Sequence, residues 1–275
     1  MSLAATDFDF LCRFLYERSA IVLQPGKEYL AESRLIPLAK QEGLNGITAL
    51  VASLRAAPSN GLAQKVVEAM TTNETSFYRD TGPFEALRVH ILPALVKAVE
   101  RERALRIWSA ASSTGQEIYS TAMLIRDHFP QLSGWNLQLL ATDLSRDVLA
   151  RAREGRFNQL EVNRGLPAPM LVRHFERAGL DWQLKADIRR MVEFRELNLS
   201  TTWPALGSFD LVFLRNVLIY FDVDTKRRIL GRVRQVLKPH GYLFLGAAET
   251  TLMLDDGFER VTFDKTTAYR VRGSR

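Results

Sequence analysis

Three apolar runs in this chain stop abruptly at polar residues, and that pattern constrains the fold most. Leu211-Val212-Phe213-Leu214, preceded by Phe209-Asp210, ends at Arg215-Asn216. Residues 105–110 run into Ser112-Ser113-Thr114-Gly115-Gln116-Glu117, and residues 137–141 run into Thr142-Asp143. A buried parallel strand is apolar through its length and polar at its carboxyl end. Open α/β sheets bind ligands at the carboxyl ends of their strands. Three such ends on one edge of one sheet predict a cofactor crevice.

The segments between the runs have helical periods. Helices are expected over 117–128, 145–154 and 225–237, with a further strand at 241–245 and an antiparallel pair at 258–263 and 267–272. Alternation of this kind gives right-handed βαβ units and a mostly parallel, Rossmann-like sheet. Lys238-Pro239-His240-Gly241 reads as the turn into the 241–245 strand. Residues 155–197 interrupt the alternation. Strand character at 155–158, 182–186 and 191–197, with a short helix at 171–177, predicts an inserted small antiparallel sheet.

The first 75 residues look all-helical. Thr6 and Asp9 resemble a capping box, and Phe8, Leu11, Cys12 and Leu15 fall on one face. A second helix over 27–41 contains Pro37, and helices over 47–56 and 62–70 flank Pro58-Ser59-Asn60-Gly61. Residues 84–103 read as a long helix leading into the first strand. The expected domains are therefore a helical module at 1–75, a linker at 76–90 and an α/β domain at 91–275.

Composition excludes several classes. No apolar run approaches the ~20 residues of a membrane helix, and the N-terminus has neither a basic region nor a secretory core. A single cysteine, Cys12, precludes an internal disulfide and suits a reduced, cytoplasmic setting. The net charge of +6 is spread among acids: residues 1–90 hold 9 Lys and Arg against 10 Asp and Glu. Nucleic acid is not the expected partner, whereas an acidic protein surface is compatible. The four histidines lack metal-ligand spacing, so no metal site is expected. Neither a Gly-x-Ser-x-Gly elbow nor a phosphate-binding P-loop is present.

Individual residues keep two readings. Asp143 suits the hydroxyls of a ribose or the cap of the helix that follows. Glu117 suits a cationic amine or a helix dipole. The block Thr71–Asp80 is either a capped linker or part of a ligand site at a domain junction. The loop Ser112–Gly115 has one glycine where a dinucleotide fingerprint needs three, which disfavours a pyrophosphate cofactor and a nicotinamide oxidoreductase.

Taken together, these blocks resemble the CheR family of chemotaxis receptor methyltransferases. Asn73-Glu74-Thr75-Ser76-Phe77-Tyr78-Arg79 resembles the family's Asn-Glu-Thr-x-Phe-aromatic-Arg block. Ile107–Ala110 through Glu117, Ala141–Leu144, Asn198-Leu199 and Arg215–Phe221 resemble four more, in the same order. The resemblance implies a class I S-adenosylmethionine-dependent fold with a helical receptor-docking domain and a small β-subdomain. It implies transfer of a methyl group to glutamates of chemoreceptor cytoplasmic helices, with S-adenosylhomocysteine as product. It also implies cofactor contacts from Asn73, Thr75 and Arg79 on the interdomain side, from Glu117 to the methionine amine and from Asp143 to the ribose. Asn198, Leu199, Arg215 and Asn216 are implied around the adenine and methionyl portions. Arg79 and Tyr220 are the expected orienting residues for the reaction. In some members the β-subdomain grips a receptor's C-terminal pentapeptide.

Gln116, Ile118 and Gly246-Ala247-Ala248-Glu249 depart from the usual pattern without removing an expected ligand. Lys27 and Arg34 are the expected basic pair for receptor docking. The alternatives are a methyltransferase acting on another protein or a small molecule, and a non-catalytic cofactor sensor.

Overall fold

The computed structural model describes residues 3–57 and 61–273. The turn expected at Pro58-Ser59-Asn60 lies outside the described residues. The chain forms two compact units, Met1–Thr72 with Tyr220–Thr225, and Asn73–Ile219 with Lys226–Arg275.

The smaller unit contains α1 (Ala5–Ser19), α2 (Glu28–Gln41), α3 (Gly46–Ala56) and α4 (Gly61–Met70). Leu11, Leu15, Leu35, Leu50, Leu54 and Val66 are fully buried, one apolar stripe from each helix. The capping-box expectation fails, because α1 starts one residue before Thr6 and its N-cap, Ala4, has no side-chain bond. Pro37 lies inside α2, where it cannot donate to the preceding turn. Arg34 is turned inward: Nη1 donates to the carbonyls of Met70 (2.7 Å) and Thr71 (2.9 Å), satisfying the end of α4. Its burial pulls its pKa below the ordinary guanidinium value. Arg34 therefore caps a helix of its own unit.

The larger unit begins with α5 (Gly82–Ala86), a π-turn at Leu87–Ile91 and α6 (Leu92–Ala98). Next come β1 (Ala104–Ala110), α7 (Gln116–His128), β2 (Asn136–Asp143) and α8 (Arg146–Glu154). The insertion holds β3 (Arg156–Phe157), α9 (Gln159–Asn163), α10 (Ala168–His174), β4 (Phe175–Ala178), β5 (Asp181–Leu184) and α11 (Ala186–Arg189). The remainder is β6 (Val192–Glu196), β7 (Phe209–Leu214), α12 (Val223–Val236), β8 (Leu237–Leu245), β9 (Phe258–Phe263) and β10 (Thr266–Val271).

The seven-stranded sheet has the order β6-β2-β1-β7-β8-β10-β9. Strands β6, β2, β1, β7 and β8 are parallel, and β10 and β9 close one edge antiparallel. Counting only this sheet's strands in chain order gives 3-2-1-4-5-7-6. Strand β7 is buried at every position, as its apolar run requires.

Four expectations are corrected. Residues 76–90 are no linker, since Phe77, Phe84 and Leu87 are buried in the main core. The residues 191–197 do not join the small sheet: β6 pairs in parallel with β2, Ala141 opposite Phe194. The small sheet is β3-β5-β4, and its edge strand β4 replaces the end of the helix expected at 171–177. Lys238–Gly241 is not a separate turn but an irregularity within β8, where the register jumps from Leu237 to Tyr242 as β7 advances from Phe209 to Leu211.

Two buried phenols differ in one respect. Tyr119 Oη donates to the Ala152 carbonyl at 2.6 Å, whereas Tyr78 Oη is buried with no hydrogen-bond partner. Burial raises both above the ordinary phenol pKa, aided at Tyr78 by the Asp127 charge. The folded state thus holds protons that the unfolded chain releases. This stability is complete below pH ~10 and is lost as pH rises above it. Tyr119→Phe should cost about 1 kcal/mol at neutral pH. Tyr78→Phe should be neutral or stabilising, and each should flatten the alkaline loss. Urea midpoints measured from pH 7 to pH 11 test all three statements.

Candidate functional site

Strand β1 lies between β2 and β7, so chain order reverses there and the loops leaving β1 and β7 diverge. Such a switch point opens a crevice beyond the strands' carboxyl ends. The residues at that edge are under backbone strain. Among the described residues nine non-glycine residues have positive φ, and five of them lie there or in the Thr71–Asp80 block: Tyr78, Asp80, Ala111, Ser113 and Asn216. Such strain persists only where surroundings fix it, and it collects at ligand sites.

The loop after β1 is drawn close by small residues. Gly115 has φ 89°, and a Cβ there would stand 3.1 Å from Tyr119 Cε2 and 3.3 Å from Ala152 Cβ. Ser113 ties two expected site residues together. Its amide donates to Asp143 Oδ2 (2.8 Å), and its hydroxyl donates to the Asn73 carbonyl (2.8 Å). The other carboxylate oxygen of Asp143 accepts from the Ser145 amide (3.0 Å). The cap of α8 is Ser145, so the capping alternative for Asp143 is set aside. Its carboxylate is instead held rigidly at the end of β2.

A second cluster centres on Arg215, whose side chain is 2% exposed. Nη1 meets Glu117 Oε2 at 2.9 Å, and Nη2 meets Asp80 Oδ2 at 2.8 Å and the Arg79 carbonyl at 3.1 Å. Glu117 also accepts from Ser109 Oγ at 2.8 Å. One buried cation is thereby matched by two carboxylates. Arg79 folds back on its own segment, donating to the Glu74 carbonyl at 3.0 Å.

The remaining expected residues are placed less directly. Asn198 Oδ1 accepts from the Ser200 amide and hydroxyl, turning the loop after β6. Leu199 is buried, and its carbonyl accepts from Trp203 Nε1. Thr75 is half-buried. Asn216 follows β7 at φ 58°. Tyr220 groups with the helical unit, where its carbonyl accepts from the Val22 amide at 2.9 Å. Two residues here carried no role in the sequence reading, Asp80 and Ser113. Both stand beside expected ligands, but only the folded chain shows what they touch. A separate cavity of about 560 Å³, lined by Tyr78, Phe84, Arg88, His128, Pro167 and Met170 among others, contains none of the expected cofactor ligands.

The donor set fits an adenosyl amino acid. Carboxylates at Asp143 and Glu117 suit hydroxyl and ammonium donors. Arg215 Nε and Ser112 Oγ are buried polar atoms with no partner, and a polar ligand would satisfy them. No three-residue cluster of His, Cys, Asp and Glu suited to a metal occurs among the described residues.

A sheet of this order, with an acid at the end of β2 and another in the first turn of α7, defines a class I S-adenosylmethionine-dependent methyltransferase. Family models agree across both units: "CheR methyltransferase, SAM binding domain" matches residues 73–267, and "CheR methyltransferase, all-alpha domain" matches residues 6–71. The chain is 45% identical to Chemotaxis protein methyltransferase 1 of Pseudomonas aeruginosa over 99% of its own length and all of that protein. It is 42% identical to Chemotaxis protein methyltransferase Cher2 of Pseudomonas putida, again over 99% of its length and all of the relative. It is 37% identical to Chemotaxis protein methyltransferase 1 of Vibrio cholerae over 99% of both. The chain belongs to the CheR methyltransferase family, and S-adenosylmethionine is its cofactor.

Removing Arg215 leaves Glu117 and Asp80 without their shared cation. Arg215→Met should cost about 3 kcal/mol, the low end for a broken buried pair because Asp80 is half-exposed. Arg215→Lys keeps the charge, loses the two-armed geometry and should cost less. Denaturant midpoints measure both; a loss under about 0.5 kcal/mol for Met would show that the cluster adds no stability.

Proposed function

We propose that this enzyme methylates glutamate side chains on the cytoplasmic helices of chemoreceptors, yielding glutamate methyl esters and S-adenosylhomocysteine. The observation that carries this reading is the joining of the Asn73–Arg79 block to the ends of β1 and β7, through Ser113 to Asn73 and through Arg215 to Arg79. Full-length similarity to chemotaxis methyltransferases supports the chemotactic substrate.

When bound, S-adenosylmethionine supplies a methyl group already activated on a sulfonium. The acceptor glutamate, with an ordinary pKa near 4.3, is ionised at neutral pH and needs no general base. That carboxylate would be the acceptor of the methyl group, and the residues around the crevice would hold it in line. The protein's task is alignment and exclusion of water, and alignment alone can supply up to roughly 7–11 kcal/mol. Asp143 is assigned to the ribose hydroxyls and Glu117 to the methionine amine. Asn73, Thr75, Asn198, Leu199, Arg215 and Asn216 complete the cofactor contacts. Arg79 and Tyr220 are assigned to orienting the incoming carboxylate or the cofactor.

The three-stranded β3-β5-β4 sheet has open edges at β3 and β4. An extended receptor pentapeptide is proposed to add a strand at one of them. No helix among the described residues is long and apolar enough to cross a membrane, which accords with a cytoplasmic site of action.

Transfer of radiolabelled methyl groups to receptor cytoplasmic fragments tests the assignment. The label should be released as methanol by mild alkali, as an ester requires; alkali-stable label would reject glutamate. Arg79→Ala should lower kcat/KM for transfer by at least tenfold with little change in thermal midpoint. Wild-type kcat/KM in that variant would remove Arg79 from the mechanism.

A further inference from the structure

We propose that Glu249 is a positioning residue for cofactor binding, acting by locking the backbone of Asn216. This rests on the reading of Asn216 as a cofactor contact. Glu249 Oε2 accepts from the amides of Asn216 (2.8 Å) and Gly246 (2.7 Å), and Oε1 accepts from the amide of Ile219 (3.3 Å). One carboxylate thus joins the loop leaving β7 to the turn leaving β8, the two strand ends on one side of the switch point. Its own amide donates to the Gly246 carbonyl at 2.9 Å, closing the turn that presents it.

The need for a clamp is visible in the backbone. Asn216 sits at φ 58°, in the left-handed region that costs a non-glycine residue free energy. It follows a buried strand directly, so its side-chain direction depends on that conformation being held. Gly246 permits the approach: a Cβ there would lie 2.7 Å from Asn216 Nδ2, 2.7 Å from Glu249 Oε2 and 2.8 Å from the Asn216 amide nitrogen. A carboxylate is the suitable group, since it offers two acceptor-only oxygens to three amides. Glutamine keeps the shape but turns an NH₂ group toward one set of N–H donors.

Calorimetric titration with S-adenosylhomocysteine tests the proposal on wild type, Glu249→Gln, Asn216→Gly and the double variant, with thermal midpoints recorded alongside. Glu249→Gln should raise Kd about tenfold or more in a protein that remains folded. Asn216→Gly should also weaken binding, because it removes the contacting side chain. The double variant should bind no more weakly than Asn216→Gly, since glycine adopts positive φ unaided. Wild-type affinity in Glu249→Gln beside weak binding in Asn216→Gly overturns the positioning role alone. Fully additive losses overturn action through Asn216. Wild-type affinity in both variants overturns the assignment of Asn216 itself. Should Glu249→Gln fail to fold, Gly246→Ala, which forces the same contact apart, is read by the same titration and the same outcomes.

Discussion

Strand β1 pairs in parallel with β2 on one side and β7 on the other. Between those partners β1 is buried over its last four residues, Ile107–Ala110, before it emerges. All three strands emerge at the same edge. The polar residues that the interior excludes are therefore gathered there: Ser112 to Gly115 from β1, Asp143 from β2, Arg215 and Asn216 from β7. The crevice is a consequence of parallel pairing before any particular side chain is considered.

What the crevice does with these residues depends on their mutual restraint. Asp143 is fixed by amides of the β1 loop and of its own turn. Glu117 is fixed by Ser109 and by Arg215, which also holds Asp80 and the Arg79 carbonyl. Each of these two carboxylates is thus pre-oriented by bonds within the unit. Pre-orientation of this kind suits a reaction with an activated electrophile and an ionised nucleophile, where placement supplies most of what a catalyst can add.

Legibility in the sequence followed burial. The strands β1, β2 and β7 were readable because burial of their carboxyl-terminal halves leaves mostly apolar stretches there. Strand β6 was misplaced because it is an edge strand: Val-Glu-Phe-Arg-Glu alternates, and its partner β2 is some fifty residues earlier. Strand β4 was lost because Phe-Glu-Arg-Ala suits a helix as well as a strand, and only pairing with β5 decides it. Candidate ligands such as Asp143 were visible at strand ends. The bonds of Ser113 to Asn73 and of Arg215 to Asp80 were not, since each spans residues far apart in sequence. The capping bonds of Arg34 were hidden for the same reason: its acceptors, at the end of α4, are invisible to a helical wheel of α2.

The account turns on whether the Asp143 and Glu117 carboxylates face one bound nucleoside. A crystal structure with S-adenosylhomocysteine measures this directly. Both ribose hydroxyls should lie within hydrogen-bond distance of Asp143, and the amino group within that distance of Glu117. Product bound elsewhere, or bound with both carboxylates untouched, would contradict it.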